Sequence, residues 1–197
     1  VVLASSAAIY GLVPVAEQPV SEARPPRPVT PYAVSKAAQE QVAISIGETT
    51  GLHVVRARLF NLLGPGQPPH LVPMCFLEQL REILSGAAAP PLRAGNLLAR
   101  RDFVDVRDGV GALGLLLEQG EAGAAYNVAS GIDVGIGEVL ARLQAVAGSD
   151  VMVAADPARR GAGADDRIRA DVTRIAQLGW RATRSLDDSL RDMWGQG

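Results

Sequence analysis

Residues 30–36 of the chain read TPYAVSK, and residues 1–11 read VVLASSAAIYG. Thr30-Pro31 is a helix start, a hydroxyl to cap the first turn and a proline whose fixed φ suits the first helical position. From Ala33 to about Glu48 the residues Val34, Ala38, Val42 and Ile46 recur on one face, and Gly51 closes the helix. Val1–Ala4 is an uncharged, apolar run opening on two β-branched residues that leads into Ser5-Ser6, which reads as a buried strand ending in a turn. Between strand and helix lies a proline-rich stretch (Pro14, Pro19, Pro25, Pro26, Pro28), which predicts an extended loop or lid.

The same reading carries downstream. His53–Leu59 alternates and predicts a strand, and Asn61–Pro69 is a Gly/Pro loop ahead of a helix over Leu71–Leu84. Short strands follow at Leu92–Ala94 and Arg101–Asp105, then a helix over Val106–Gln119 and a strand over Ala125–Ala129. A helix over Ile136–Val146, a strand over Val151–Ala154, and helices over Val172–Gln177 and Leu186–Trp194 complete the chain. Strands alternating with helices predict an α/β fold with a largely parallel sheet.

Composition narrows the class. Of 197 residues, 48% are hydrophobic and 20% charged, enough apolar content for a core and too much for a disordered chain. A net charge of −2 argues against a nucleic-acid partner. No apolar run is long enough to span a bilayer, and the opening segment lacks a basic leader and is broken by Gly11 and Pro14. One cysteine, Cys75, excludes an internal disulfide framework and points to a reducing, cytoplasmic setting. Two histidines, His53 and His70, with that cysteine supply no metal site, and no G-x-S-x-G nucleophile elbow occurs.

The chain contains a single lysine, Lys36; every other basic side chain is arginine. Such a survivor marks a position that needs a compact ammonium, or an ordinary solvated one. Tyr32 stands four residues before it, so the two share a helix face. An ammonium beside a phenol stabilises the phenolate, and the pair can then trade a proton with a substrate hydroxyl or carbonyl. Ser5 and Ser6 lie just past the carboxyl end of the first strand, where ligands of open α/β sheets bind. Either hydroxyl could orient a reacting oxygen, and either also fits a strand-terminating turn.

SSAAIYG, PYAVSK, RARLFNLLGPGQ, GNLLARRDFVDVRD, AAYNVASG and LGW occur in this order along the chain. In that order they resemble the extended short-chain dehydrogenase/reductase family, the sugar-nucleotide epimerases, dehydratases and reductases. The nearest pattern is that of reductases acting on GDP-4-keto-6-deoxyhexoses. The resemblance implies a Rossmann-type NAD(P)-binding domain over 1–69 carrying Ser6, Tyr32 and Lys36, and a smaller α/β substrate lobe over most of 70–197. The helix 106–119 and strand 125–129 would return to the Rossmann sheet. It implies Tyr32 as general acid/base, Ser6 as the catalytic hydroxyl, and Lys36 on the nicotinamide ribose. Ala4, Ser5 and Leu59 would also touch the NAD(P)(H) cofactor. Asn61, His70, Leu71, Val72, Gly95, Arg101, Arg159 and Arg160 would contact a nucleotide sugar, GDP-linked by the nearest pattern. Arg101 reads equally well as an ordinary surface arginine. A homodimer would form through the outward side of the Tyr32 helix, including Val42 and Ile46.

Three departures qualify the resemblance. Dehydratases of the family carry acidic residues after the catalytic hydroxyl, where this chain has Ala7 and Ala8, which predicts reduction instead of dehydration. A 4-epimerase, or a member that binds nucleotide sugars without turning them over, are the alternatives. Gly161 stands where relatives place a diphosphate-binding arginine. The family's glycine fingerprint is expected upstream of Ser6, which would make these residues the C-terminal portion of a longer protein, inactive by themselves. Gly135 and Gly137 open a helix and imitate part of that fingerprint, but Leu140 takes its third place, so they are expected to belong to the substrate lobe.

Overall fold

The computed structural model describes residues 1–156 and 166–195. Two compact units partition the chain, the first from 1–62, 102–133 and 168–183, the second from 63–101, 134–167 and 184–197. In the first unit, strands β1 (Val2–Ser6), β2 (Val55–Leu59) and β6 (Ala125–Val128) form a parallel sheet in the order β1-β2-β6. The register sets Ser5 opposite Arg58 and Ser6 opposite Leu59. Leu59 in turn faces Val128.

Helices cover both faces of this sheet, and alternation along β2 decides which residues meet them. Val55 and Ala57 face α3 (Val106–Gln119) and α5 (Thr173–Gln177), packing with Ala112, Leu116 and Ile175. Arg56 and Arg58 point to the other face, against α1 (Pro31–Thr50). Thr30 caps α1 by accepting from the Ala33 N–H at 3.1 Å, and Gly51 ends it at φ 73°. Val34, Val42 and Ile46 form the exposed side of this helix, while Ala33 and Glu40 are its buried positions.

The proline-rich stretch is extended and tied to the rest of the first unit. Val20 is buried, its N–H donates to the Arg169 carbonyl at 2.8 Å, and its own carbonyl accepts from Asp171 N–H at 2.9 Å. With Ala7, Tyr10, Val13, Phe60, Ala129 and Ala170 it forms an apolar cluster beside the strand ends. The second unit packs α2 (Val72–Leu84), α4 (Ile136–Val146) and α6 (Leu186–Gly195) with parallel strands β4 (Leu92–Ala94) and β8 (Val153–Ala155). Short strands at β3 (Asn61–Leu63), β5 (Arg100–Asp105), β7 (Asp133–Gly135) and β9 (Arg167–Ile168) pair as β3-β5-β7, with β9 on β5. The sequence reading did not single out β3, β7 and β9: β3 falls in the Gly/Pro loop, and β7 and β9 are only three and two residues long.

Candidate active site

The carboxyl end of β1 and the first turns of α1 build the site. Lys36 Nζ donates to the Ala4 carbonyl at 2.9 Å, which places the only ammonium side chain of the 197 residues at the end of the parallel sheet. Tyr32 lies one turn earlier on α1 and is 57% exposed, so its phenol is open to a ligand. Ser6 ends β1 and caps the 3-10 turn Ala7–Tyr10 by accepting from Ala8 N–H at 3.2 Å, which leaves its own proton available to donate. Leu59, at the end of β2, is the register neighbour of Ser6.

Ser5 departs from expectation. It is buried, and its hydroxyl sits against the Glu40 carboxylate without meeting hydrogen-bond geometry to any partner. Turned into the core, it presents no side chain to a ligand. Asn61, first residue of β3, donates from Nδ2 to the Asp102 carbonyl at 3.0 Å. The remaining expected substrate contacts belong to the second unit: His70, Leu71 and Val72 are exposed around the start of α2, and Gly95 follows β4. Arg101 is only partly exposed and donates to Asp166 Oδ2 at 2.6 Å and to the Asp166 carbonyl at 2.8 Å. A diphosphate would compete with that carboxylate for the guanidinium fork. Arg159, Arg160 and Gly161 lie outside the described residues. The amide of Gly137 donates to Leu97 O at 2.9 Å and that of Ile136 to Ala99 O at 2.8 Å. The start of α4 thus spends these donors on its own unit, as expected of glycines that are not a phosphate cradle.

Behind the site lies a buried polar network that periodicity did not announce. Arg58 is 3% exposed and Glu40 1%. Arg58 donates to both carboxylate oxygens of Glu40, at 3.1 and 2.9 Å, and to the Tyr10 hydroxyl at 3.0 Å, while Arg56 adds a bond to Glu40 at 3.1 Å. Burial pushes the Glu40 carboxyl upward, but the Arg58 hydrogen bonds, aided by Ser5 and Arg56, more than reverse this and hold it below the usual glutamate range. Burial raises the Tyr10 phenol to about 12 against the opposing pull of Arg58. The available sequence signals were slight: two arginines alternating in VRARL, and one glutamate a turn beyond Lys36.

The sequence model of GDP-mannose 4,6-dehydratase matches residues 1–193. The chain belongs to the GDP-mannose 4,6-dehydratase family. Within the wider set of relatives, it is 38% identical over 188 residues to GDP-6-deoxy-D-mannose reductase of Pseudomonas aeruginosa, covering 95% of this chain and 62% of that protein. The solved structure of RMD from Pseudomonas aeruginosa complexed with NADPH superposes with a TM-score of 0.93 at 35% identity, covering 98% of this chain and 65% of the other. UDP-glucose 4-epimerase of Thermotoga maritima with UDP-glucose gives a TM-score of 0.86 at 27% identity, covering 98% and 62%. This family member therefore spans just under two thirds of the length of these relatives. The fold class is α/β, with a parallel sheet of the Rossmann type shared with these neighbours. Among the described residues, no helix is long and apolar enough to cross a membrane.

Proposed function

We propose that the protein is an NAD(P)H-dependent reductase of a nucleotide-linked 4-keto-6-deoxyhexose, GDP-linked as for its 38%-identical relative. The observation that carries the reading is the Lys36–Ala4 bond, which fixes an ammonium on β1, two residues before Ser6 and one helical turn from the open Tyr32. A cation and two hydroxyls in that position suit the ribose and nicotinamide end of a dinucleotide, so the residues present fit the coenzyme. Bound NAD(P)H supplies the hydride.

The residues of this chain supply the rest. Ser6, with its oxygen already engaged by Ala8 N–H, donates a hydrogen bond to the substrate carbonyl oxygen and orients it, keeping its proton. Tyr32 delivers a proton to that oxygen as negative charge develops there. Lys36, held in place by Ala4, stabilises the phenolate left behind. Asn61 and Arg101 serve the substrate's diphosphate, and His70, Leu71, Val72 and Gly95 its sugar and base. Ala7 is buried in an apolar cluster and Ala8 carries no proton, which supports reduction over dehydration. Full-length protein in a cytoplasmic setting would dimerise through the exposed Val34, Val42 and Ile46 side of α1.

The likeness to UDP-glucose 4-epimerase supports a second reading, interconversion at C4 without net coenzyme consumption. Assay of the full-length protein with NADPH, NADH and a GDP-4-keto-6-deoxyhexose separates the two. A reductase consumes reduced coenzyme stoichiometrically; an epimerase does not. Tyr32→Phe is expected to lower kcat by about 10²–10⁴ while ligand affinity stays within a few-fold. Unchanged turnover in that variant would overturn the assignment. A binding-only member would show no turnover in either form.

A further inference from the structure

Tyr32, Lys36 and Glu40 occupy successive turns of α1. Only the first two figure in the chemistry. Glu40 nevertheless holds the most enclosed charge on the helix, at 1% exposure, and it takes a two-pronged bond from Arg58. Arg58 is the register partner of Ser5, and Ser5 lies between Ala4, which receives Lys36, and Ser6. The helix is thus fastened to the strand ends at two polar points one turn apart: Lys36 on Ala4, and Glu40 on Arg58. Two well-packed apolar side chains would stabilise such an interface as well as a buried ion pair, or better, because the pair must be stripped of water. What an apolar contact lacks is direction. A forked guanidinium meeting both oxygens of a carboxylate fixes distance, height and rotation together.

We propose that Glu40 is a positioning residue: its fork with Arg58 sets the height and rotation of α1 over the sheet, and so holds Lys36 on the Ala4 carbonyl, with Tyr32 one turn before it. The proposal rests on the reading of Tyr32 and Lys36 as the reacting pair, but the placement of Lys36 can be measured without any turnover. Arg56 adds a single bond to Glu40 from the rim of the network, where its side chain is 14% exposed, and does not set the geometry.

The test is pulsed acetylation of Lys36, read by peptide-resolved mass spectrometry with the α-amino group as internal reference. Lys36 is the only lysine of the 197 residues, so its peptide is unambiguous. Glu40→Gln keeps the shape and removes the charge. Glu40→Leu combined with Arg58→Met fills the space without a fork, and preserves the fold should the single variant unfold. Arg56→Gln is the control. Lys36 labelling is expected to rise at least fivefold in the first two proteins and to stay within twofold in the control. In full-length protein, kcat should fall tenfold or more in the first two with KM within threefold, and Glu40→Asp should recover only part of the loss. Folded variants with unchanged Lys36 labelling would overturn the proposal, as would faster labelling with kcat intact. Absence of turnover in the unsubstituted protein, with labelling behaving as expected, would sink the reductase reading and leave the positioning role standing.

Discussion

The hydroxyl of Tyr10 donates to Oδ1 of Asn127 at 2.6 Å, joining residues 117 positions apart inside the first unit. Asn127 is fully buried and spends its Nδ2 on the carbonyls of Val20 at 2.9 Å and Asp171 at 3.0 Å. Tyr10 also accepts from Arg58, so one phenol links the turn after β1 to β2 and β6, and Asn127 carries the link on to Val20 of the proline-rich stretch. Tyr10→Phe leaves the Asn127 acceptor buried without this donor. A loss of about 1–3 kcal/mol in unfolding free energy is expected from urea titration. A loss within a few tenths would show that water or a side-chain rearrangement replaces the hydroxyl.

Asp102 should make stability depend on pH in an unusual sense. Its carboxylate accepts from the N–H groups of Ser130 at 2.9 Å, Gly131 at 3.0 Å and Ala170 at 3.2 Å, and from the Ser130 hydroxyl at 2.7 Å. Burial outweighs these bonds and pushes the carboxyl up from 3.8 to about 6. Between those values the folded chain binds the proton more tightly than the unfolded one. The contribution is therefore fully present below about pH 4 and is lost as pH rises through 6, about 3 kcal/mol in all. Glu40, held below its ordinary value, acts in the opposite sense, stabilising above about pH 4.5 and losing that as pH falls. Asp102→Asn should be less stable in absolute terms and should remove the fall between pH 4 and 6. Urea midpoints across that range decide it; an unaltered slope would assign the dependence to other groups.

Ala7→Asp tests the reading of Ala7 as an apolar packing residue. Ala7 packs with Tyr10, Val13, Val20 and Phe60 and is almost wholly buried. A carboxylate introduced there lacks water and an ion-pair partner, and is expected to cost about 3 kcal/mol or more. If chemical denaturation showed no cost, the cluster would be open to solvent and the reading of Ala7 as an apolar packing residue would fail.

In the full-length protein, read as the proposed reductase, Lys36→Arg preserves the charge and should still abolish most turnover. The Ala4 carbonyl receives one point donor at 2.9 Å, and a planar guanidinium of greater length cannot occupy the same spot while leaving Tyr32 in place. The expected fall in kcat is about 10²-fold or more, with a melting temperature close to that of the parent. Activity within tenfold of the parent would reduce Lys36 to a generic cation.

By itself the sequence determined the α/β class, the extents of Val106–Gln119 and Ile136–Val146 to the residue, and the pairing of Tyr32 with Lys36 on α1. These follow from local physics: a cap, a helical period, a four-residue spacing. The apolar row Val34, Val42 and Ile46 was equally legible as a face of α1, and the family resemblance already set its Val42 and Ile46 side outward; only packing showed that Glu40 lies inward. Only the tertiary structure could bring Ala4 to Lys36, Arg58 to Glu40 and Asn127 to Tyr10, across 32, 18 and 117 residues. A charged side chain reads as a surface position until its counter-charge is placed, because burial is tolerable only where the partner already waits. Partners that far apart in the chain share no period, so parallel strand register is what puts Arg58 beside Ser5 and within reach of Glu40.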